Sequence, residues 1–183
     1  MIYIKLYDGI KISNLELLGS GTQGKVYKIN SFKCIKIFKH KNACIDEVNS
    51  LLIGQIDNHF PKIYSYGDNH IVRELITGQE LNKYLQVNTL TESLAIKIIE
   101  LYESMYFIGY NRLDTAIFHI FITRDNKLKL IDTSKAMKKY TEYPKLILQG
   151  LDELGYKNIF LYYVQKLRPD MYSKWMTHNN SGG

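Results

Sequence analysis

Across 183 residues the chain carries 24 Lys and Arg against 18 Asp and Glu, a formal net charge of +6, with 45% apolar residues. That composition supports one sizeable core or two small lobes. No stretch approaches the roughly 20 apolar residues that span a bilayer, which speaks against a membrane protein. No Pro/Gly/Ser-rich linker, repeat or low-complexity run divides the chain. The positive charge permits contact with acidic surfaces, but the lysines are dispersed, at Lys33, Lys36, Lys39 and Lys41 and again at Lys135, Lys138 and Lys139. No RNA- or DNA-reading motif accompanies them, so no specific nucleic-acid partner is expected.

Met1-Ile2-Tyr3-Ile4-Lys5 reads as a short strand, without the charged start and long apolar run of a secretory signal. Gly19-Ser20-Gly21-Thr22-Gln23-Gly24 then forms a glycine-rich turn, where glycines are expected to take positive φ and let the backbone approach an anion. Lys25 to Ile29 and Phe32 to Phe38 read as strands of alternating polarity separated by the turn signal Asn30-Ser31. The glycines therefore sit at the tip of an antiparallel hairpin rather than at a helix start, and Lys36 on the return strand points back toward them. A helix from about Asn42 to Gln55 follows, with Val48, Leu51, Leu52 and Gln55 at helical spacing, Ala43 and Ile45 near the same stripe, and Glu47 beside it. An apolar strand through Ile71-Val72 ends in Arg73-Glu74-Leu75-Ile76, with Gly78 ahead of a helix start.

Thr91 to Tyr110 is the strongest helix pattern, with Leu94, Ile98, Leu101, Tyr102, Met105 and Ile108 on one side and a capping box in Thr89-Leu90-Thr91-Glu92. Asn111-Arg112-Leu113-Asp114 precedes an apolar strand from Ala116 to Ile122. Arg124 to Lys127 forms a hairpin turn, and Leu128 to Ile131 alternates into Asp132. The remainder reads as two or three short helices, with Gly150 or Gly155 as stops and Pro169 as a breaker, before a disordered tail over 178–183.

In order and spacing these segments resemble protein kinases. The glycine turn matches G-x-G-x-x-G-x-V in full, Lys33-Cys34-Ile35-Lys36 stands for V-A-I-K, Arg112-Leu113-Asp114 for H-R-D, and Ile131-Asp132-Thr133-Ser134 for the D-F-G segment. The resemblance covers Leu15 to about Lys135, and the short remainder is similar to small, truncated bacterial serine/threonine kinase-like proteins. It implies an α+β, two-lobed kinase-like domain over 1–183. An antiparallel N-lobe sheet plus one helix would occupy about 1–75, a hinge 76–78, and a reduced, mainly helical C-lobe 79–177. It further implies an ATP-dependent phosphotransferase acting on a protein or peptide hydroxyl, with Mg²⁺ or Mn²⁺. Lys36, paired with Glu47, would hold the α- and β-phosphates, and Asp114 would orient the acceptor hydroxyl. Leu18, Gly19, Ser20, Gly21, Thr22, Gln23, Gly24, Val26, Cys34, Glu74 and Ile76 would complete the nucleotide site, with Asp132 and His119 at the metal. His119 stands where the family has asparagine, the D-F-G phenylalanine and glycine are lost, and Arg73 replaces the apolar gatekeeper beside the adenine, where it narrows the pocket or pairs with an acid. The competing reading is a nucleotide-binding pseudokinase that works through partners.

No other reaction chemistry stands out. H-E-x-x-H and G-x-S-x-G are absent, and Cys34 and Cys44 form no C-x-x-C, so each reads as a small buried apolar residue. Unpaired thiols and ATP use fit the cytoplasm. Ser20, Thr22, Thr133 and Ser134 are the hydroxyls nearest the expected site.

Overall fold

The computed structural model describes residues 6–138 and 140–179, and over these the chain is α+β, with its named strands paired antiparallel and six α-helices. The expected strand at residues 1–5 lies outside the described residues. β1 (Leu6–Tyr7) and β2 (Ile10–Lys11) form a small hairpin closed by Asp8 and Gly9, whose φ angles are +51° and +77°. Two consecutive positive φ values make the tight turn that an Asp-Gly pair favours.

The main sheet has the order β3-β4-β5-β7-β6, built from β3 (Glu16–Ser20), β4 (Gly24–Lys28), β5 (Lys33–Phe38), β6 (Ile63–Gly67) and β7 (His70–Glu74). β5 is central, with Cys34, Ile35, Lys36 and Phe38 all buried, which explains its near-continuous apolar character. Its register sets Val26 on β4 and Ile71 on β7 opposite Lys36, and Arg73 opposite Cys34.

Between β5 and β6 runs α1 (Lys41–Gly54), which packs on this sheet through Cys44, Val48 and Leu51. The buried stripe is rotated from the expected one: Leu52 and Ile45 are exposed, while Glu47 and Ser50 are buried. The two polar side chains turn inward because each finds a partner there.

The second half begins with β8 (Gly78–Glu80) and α2 (Leu81–Val87), so Gly78 opens a strand and not a helix. α3 (Glu92–Phe107) is capped by Thr91, whose hydroxyl accepts the Leu94 N–H at 3.2 Å. The N-cap is therefore Thr91 rather than Thr89, N3 is Leu94 so the expected capping box does not form, and Glu92 instead places its charge in the first turn, where the helix dipole favours it. The expected strand at Ala116 to Ile122 divides into a 3-10 turn (Ile117–His119) and β9 (Ile120–Thr123). β9 lies between β10 (Leu128–Leu130) and β8 in a three-stranded sheet.

Three helices complete the chain: α4 (Lys145–Glu153), α5 (Lys157–Leu167) and α6 (Pro169–Asn179). Gly150 lies inside α4, against the Ile117 side chain, and Gly155, at φ +77°, follows the helix end. Pro169 begins α6, a first-turn position where its missing N–H costs nothing. Helical structure reaches Asn179, two residues into the expected tail; the last four residues lie outside the described set. Tyr102, Phe160 and Trp175 tie α3, α5 and α6 together, with the Tyr102 and Trp175 rings edge to face at 5.6 Å. Among the described residues no helix is long and apolar enough to cross a membrane.

Candidate functional site

The glycine-rich turn is the β3–β4 connection, as the alternation on its two sides predicts. Gly21 N–H bonds to the Gly24 carbonyl at 2.9 Å, and Lys39 ties the tip to the end of β5 through its own N–H to Gln23 O (2.8 Å) and its Nζ to Gly21 O (3.1 Å). None of the three glycines takes the expected positive φ. Gly24 is required for a different reason: a Cβ there would lie 2.0 Å from the Ile37 carbonyl oxygen, in the β4–β5 ladder. A Cβ on Gly19 or Gly21 would meet only open space, so the turn leaves room beside its backbone.

Lys36 projects from β5 toward α1 and is 7% exposed. Its Nζ lies 2.5 Å from Oε2 of the fully buried Glu47 and 3.7 Å from Oδ1 of Asp132. β5 supplies the ammonium, α1 a carboxylate that holds it, and the segment after β10 a second carboxylate across a gap. Buried charges are retained only when paired in this way.

Asp132 adopts φ +60°, a left-handed conformation uncommon outside glycine. The next residue anchors it: Thr133 Oγ1 lies 2.7 Å from Ser50 Oγ, and Tyr110 Oη donates to the Ser50 carbonyl at 2.9 Å. Thus α1, which carries Glu47, also fixes the turn that carries Asp132. Burial pushes the Asp132 carboxyl up, but Lys36, His119 and the bonds from Ser134 and Gln23 outweigh it and hold the group below the usual carboxylate range. His119 Nε2 is 3.7 Å from Asp132 Oδ2. Burial of the imidazole, only partly offset by Asp132, lowers its pKa and favours the neutral ring.

A cavity of about 550 Å³ opens between the glycine turn and the Asp132 segment, a volume typical of small-molecule sites. Gly19 to Gly24, Val26, Lys36, Arg73, Asp114, His119 and Asp132 line it. Leu18, Cys34, Glu47, Glu74 and Ile76 are not part of its wall. Glu47 stands behind Lys36, and Cys34 Sγ is turned to the Glu74 carbonyl at 3.6 Å. Glu74 spends its carboxylate on Lys129 Nζ (2.9 Å) and the Lys62 N–H (3.1 Å), and the Leu75 N–H bonds to Phe32 O. The Glu74 side chain and the Leu75 N–H are therefore satisfied by the protein itself.

Asp114 is already engaged. Its Oδ1 accepts the Leu146 N–H at 2.6 Å, in the first turn of α4, and its Oδ2 lies 3.3 Å from Arg112 Nη2. Gln23 at the turn tip reaches across the opening, donating to Ser134 Oγ at 2.8 Å and approaching Asp132 Oδ2 at 3.5 Å. That latch, and the Ser50–Thr133–Tyr110 network, had no signature in the sequence: a serine in mid-helix and a glutamine in a turn are ordinary residues until their partners are placed. Thr133 and Ser134 are buried, whereas Ser20 and Thr22 are exposed.

Among the described residues no group of three or more His, Cys, Asp and Glu forms an all-protein metal cage. Asp132 with His119 beside it is a two-member set, which fits a cation that takes its remaining ligands from water and phosphate oxygens, as Mg²⁺ does. The His119 nitrogen suits Mn²⁺ better than Mg²⁺. No protein-family model matches the chain, and no curated protein matches it significantly in sequence.

Proposed function

We propose that the cavity binds a nucleoside triphosphate and that the chain is a minimal phosphotransferase with a two-lobed, protein kinase-like plan, the main sheet and α1 above the cavity and the helices below it. The observation that carries this reading is the convergence of Lys36, held by Glu47, and Asp132 beneath the glycine turn. An ammonium, a carboxylate and a row of backbone amides around one opening are what a polyphosphate and its cation need.

Entry of the triphosphate displaces the Gln23 side chain from Ser134 and Asp132, and the opened turn backbone faces phosphate oxygens. Lys36 binds a phosphate oxygen while Glu47 keeps its side chain from collapsing onto Asp132. Mg²⁺ or Mn²⁺, when bound, neutralises phosphate charge, and Asp132 and His119 are the residues that would hold it. An acceptor hydroxyl oxygen attacks the γ-phosphorus as the bond to the leaving diphosphate breaks, and its proton passes to Asp114 Oδ2, the oxygen with the longer existing bond. The exposed Ser20 and Thr22 are hydroxyls at the cavity rim, and a protein or peptide Ser/Thr is the acceptor class proposed.

A second reading, nucleotide binding without transfer, is favoured by the engagement of Asp114 with Leu146 and Arg112. Incubation with γ-labelled triphosphate and a Ser/Thr-rich protein separates the two. Transfer predicts metal-dependent label on a hydroxyl, lost in Asp132→Asn and in Asp114→Asn. Binding alone predicts a raised melting temperature with ligand and no label moved.

A further inference from the structure

Arg73 is 5% exposed, yet it lines the cavity. Among the described residues its Nε has no partner, and its Nη1 reaches only the carbonyl of the next residue, Glu74, at 3.5 Å. The carboxylates of the same region are committed elsewhere, Glu74 to Lys129 and Glu47 to Lys36. A guanidinium withdrawn from water without an acceptor is costly. The cavity wall thus carries a guanidinium with a buried donor unmatched by a lone pair.

Register fixes where along the cavity that chemistry sits. Arg73 lies opposite Cys34, and Lys36 is two residues further along β5, toward the glycine turn. At a strand rise of about 3.3 Å per residue, the two stations are about 7 Å apart. A ligand with its phosphates between Lys36, Asp132 and the turn therefore presents its other end to Arg73. At that end the Glu74 carbonyl, behind the cavity wall, is already approached by Cys34 Sγ (3.6 Å) and Arg73 Nη1 (3.5 Å).

Resting on the nucleotide reading of the cavity, we infer that Arg73 selects a 6-oxopurine nucleotide, with its guanidinium donating to the O6 and N7 acceptors of a guanine-type base. Adenine offers an N–H₂ donor in place of O6 and meets the guanidinium donor to donor. Arginine on guanine O6/N7 and glutamine on adenine N6/N7 are the geometrically matched pairs.

The test is calorimetric titration of the full chain with GTP, ITP, ATP and tripolyphosphate, each with Mg²⁺, for the natural protein and for Arg73→Met and Arg73→Gln. GTP and ITP, which share O6 and N7, are expected to bind about tenfold or more tighter than ATP. Arg73→Met abolishes that preference while tripolyphosphate still binds, and Arg73→Gln, which serves equally if the methionine variant does not fold, shifts it toward ATP. If ATP binds the natural protein as tightly as GTP, or a GTP preference survives both substitutions, the role of Arg73 is overturned and the nucleotide site stands. If neither the nucleotides nor tripolyphosphate binds, the nucleotide reading itself fails, and this inference with it.

Discussion

The Nζ of Lys36 stands 3.7 Å from Oδ1 of Asp132, across the cavity that separates the main sheet from the segment following β10. Neither residue depends on the other for its position. Lys36 is fixed by the central strand and by Glu47, while Asp132 is fixed by the Thr133–Ser50 contact and by a left-handed turn. Two opposite charges, anchored separately and brought within 3.7 Å of each other at one cavity wall, can both be reached by a ligand that carries phosphate and a cation.

Lys36→Met strands the Glu47 carboxylate, which is 1% exposed. Removing one partner of a buried pair destabilises by roughly 3 to 5 kcal/mol, so urea unfolding should show a loss of that order. Adding Glu47→Leu to the same chain should restore most of it. A single substitution that leaves the unfolding midpoint unchanged would mean that the pair is not dry.

The strain at Asp132 is testable apart from its charge. At φ +60° a Cβ costs roughly 1 to 2 kcal/mol, which glycine avoids and asparagine tolerates. Asp132→Gly should therefore be more stable than Asp132→Ala by about 1 kcal/mol, and Asp132→Asn should fold with a melting temperature near that of the natural protein. An alanine variant as stable as the glycine one would show that the backbone relaxes.

Asp114 serves the first turn of α4 whatever else it does. Asp114→Ala removes the acceptor of the Leu146 N–H and should cost about 1 kcal/mol, as lost helix caps do. Asp114→Asn keeps an acceptor oxygen and should cost less. Any transfer activity should vanish in both, since neither side chain can take a proton. Activity that persists in Asp114→Asn would assign the residue to structure alone.

Both cysteines are buried, and burial pushes the Cys44 thiol up to about 11, from an ordinary value of 9.0. Burial raises Cys34 as well. A thiol with a raised folded pKa contributes stability that is intact below the unfolded value and is lost as pH rises through the folded one. For Cys44 the window is pH 9 to 11, and Cys44→Ala should flatten the decline there. At pH 8 a thiol reagent should react only as fast as the chain opens; rapid labelling of the native protein would contradict the burial.

Much of the upper sheet was legible because its signals are local. The alternation from Lys25 to Phe38 around Asn30-Ser31 specified β4, β5 and the hairpin, and three glycines on a strand turn marked the cavity rim. Lys36, Glu47 and Asp132, read from motif spacing, do come together. The misreadings have physical causes. α1 carries apolar residues on more than one face, so periodicity chose Ile45 and Leu52, whereas tertiary partners turned Glu47 and Ser50 inward. Ala116 to Ile122 is apolar apart from His119, and composition does not distinguish a 3-10 turn from a strand in so short a run. Gly78 looked like a helix start because the three-residue strand that it opens is defined only by pairing with distant β9. The close approach at Gly24, the Gln23 latch and the unmatched Arg73 Nε depend on groups that meet only after folding.

The most direct measurement is the affinity of Mg²⁺-loaded GTP and ATP for the natural chain, for Lys36→Met/Glu47→Leu and for Asp132→Asn, each variant first shown to be folded. Binding to the natural chain, weakened at least tenfold in both variants and with no added benefit from Mg²⁺ in Asp132→Asn, is the predicted result. Equal affinity in all three proteins, or no binding by the natural chain, would contradict a triphosphate site between Lys36 and Asp132.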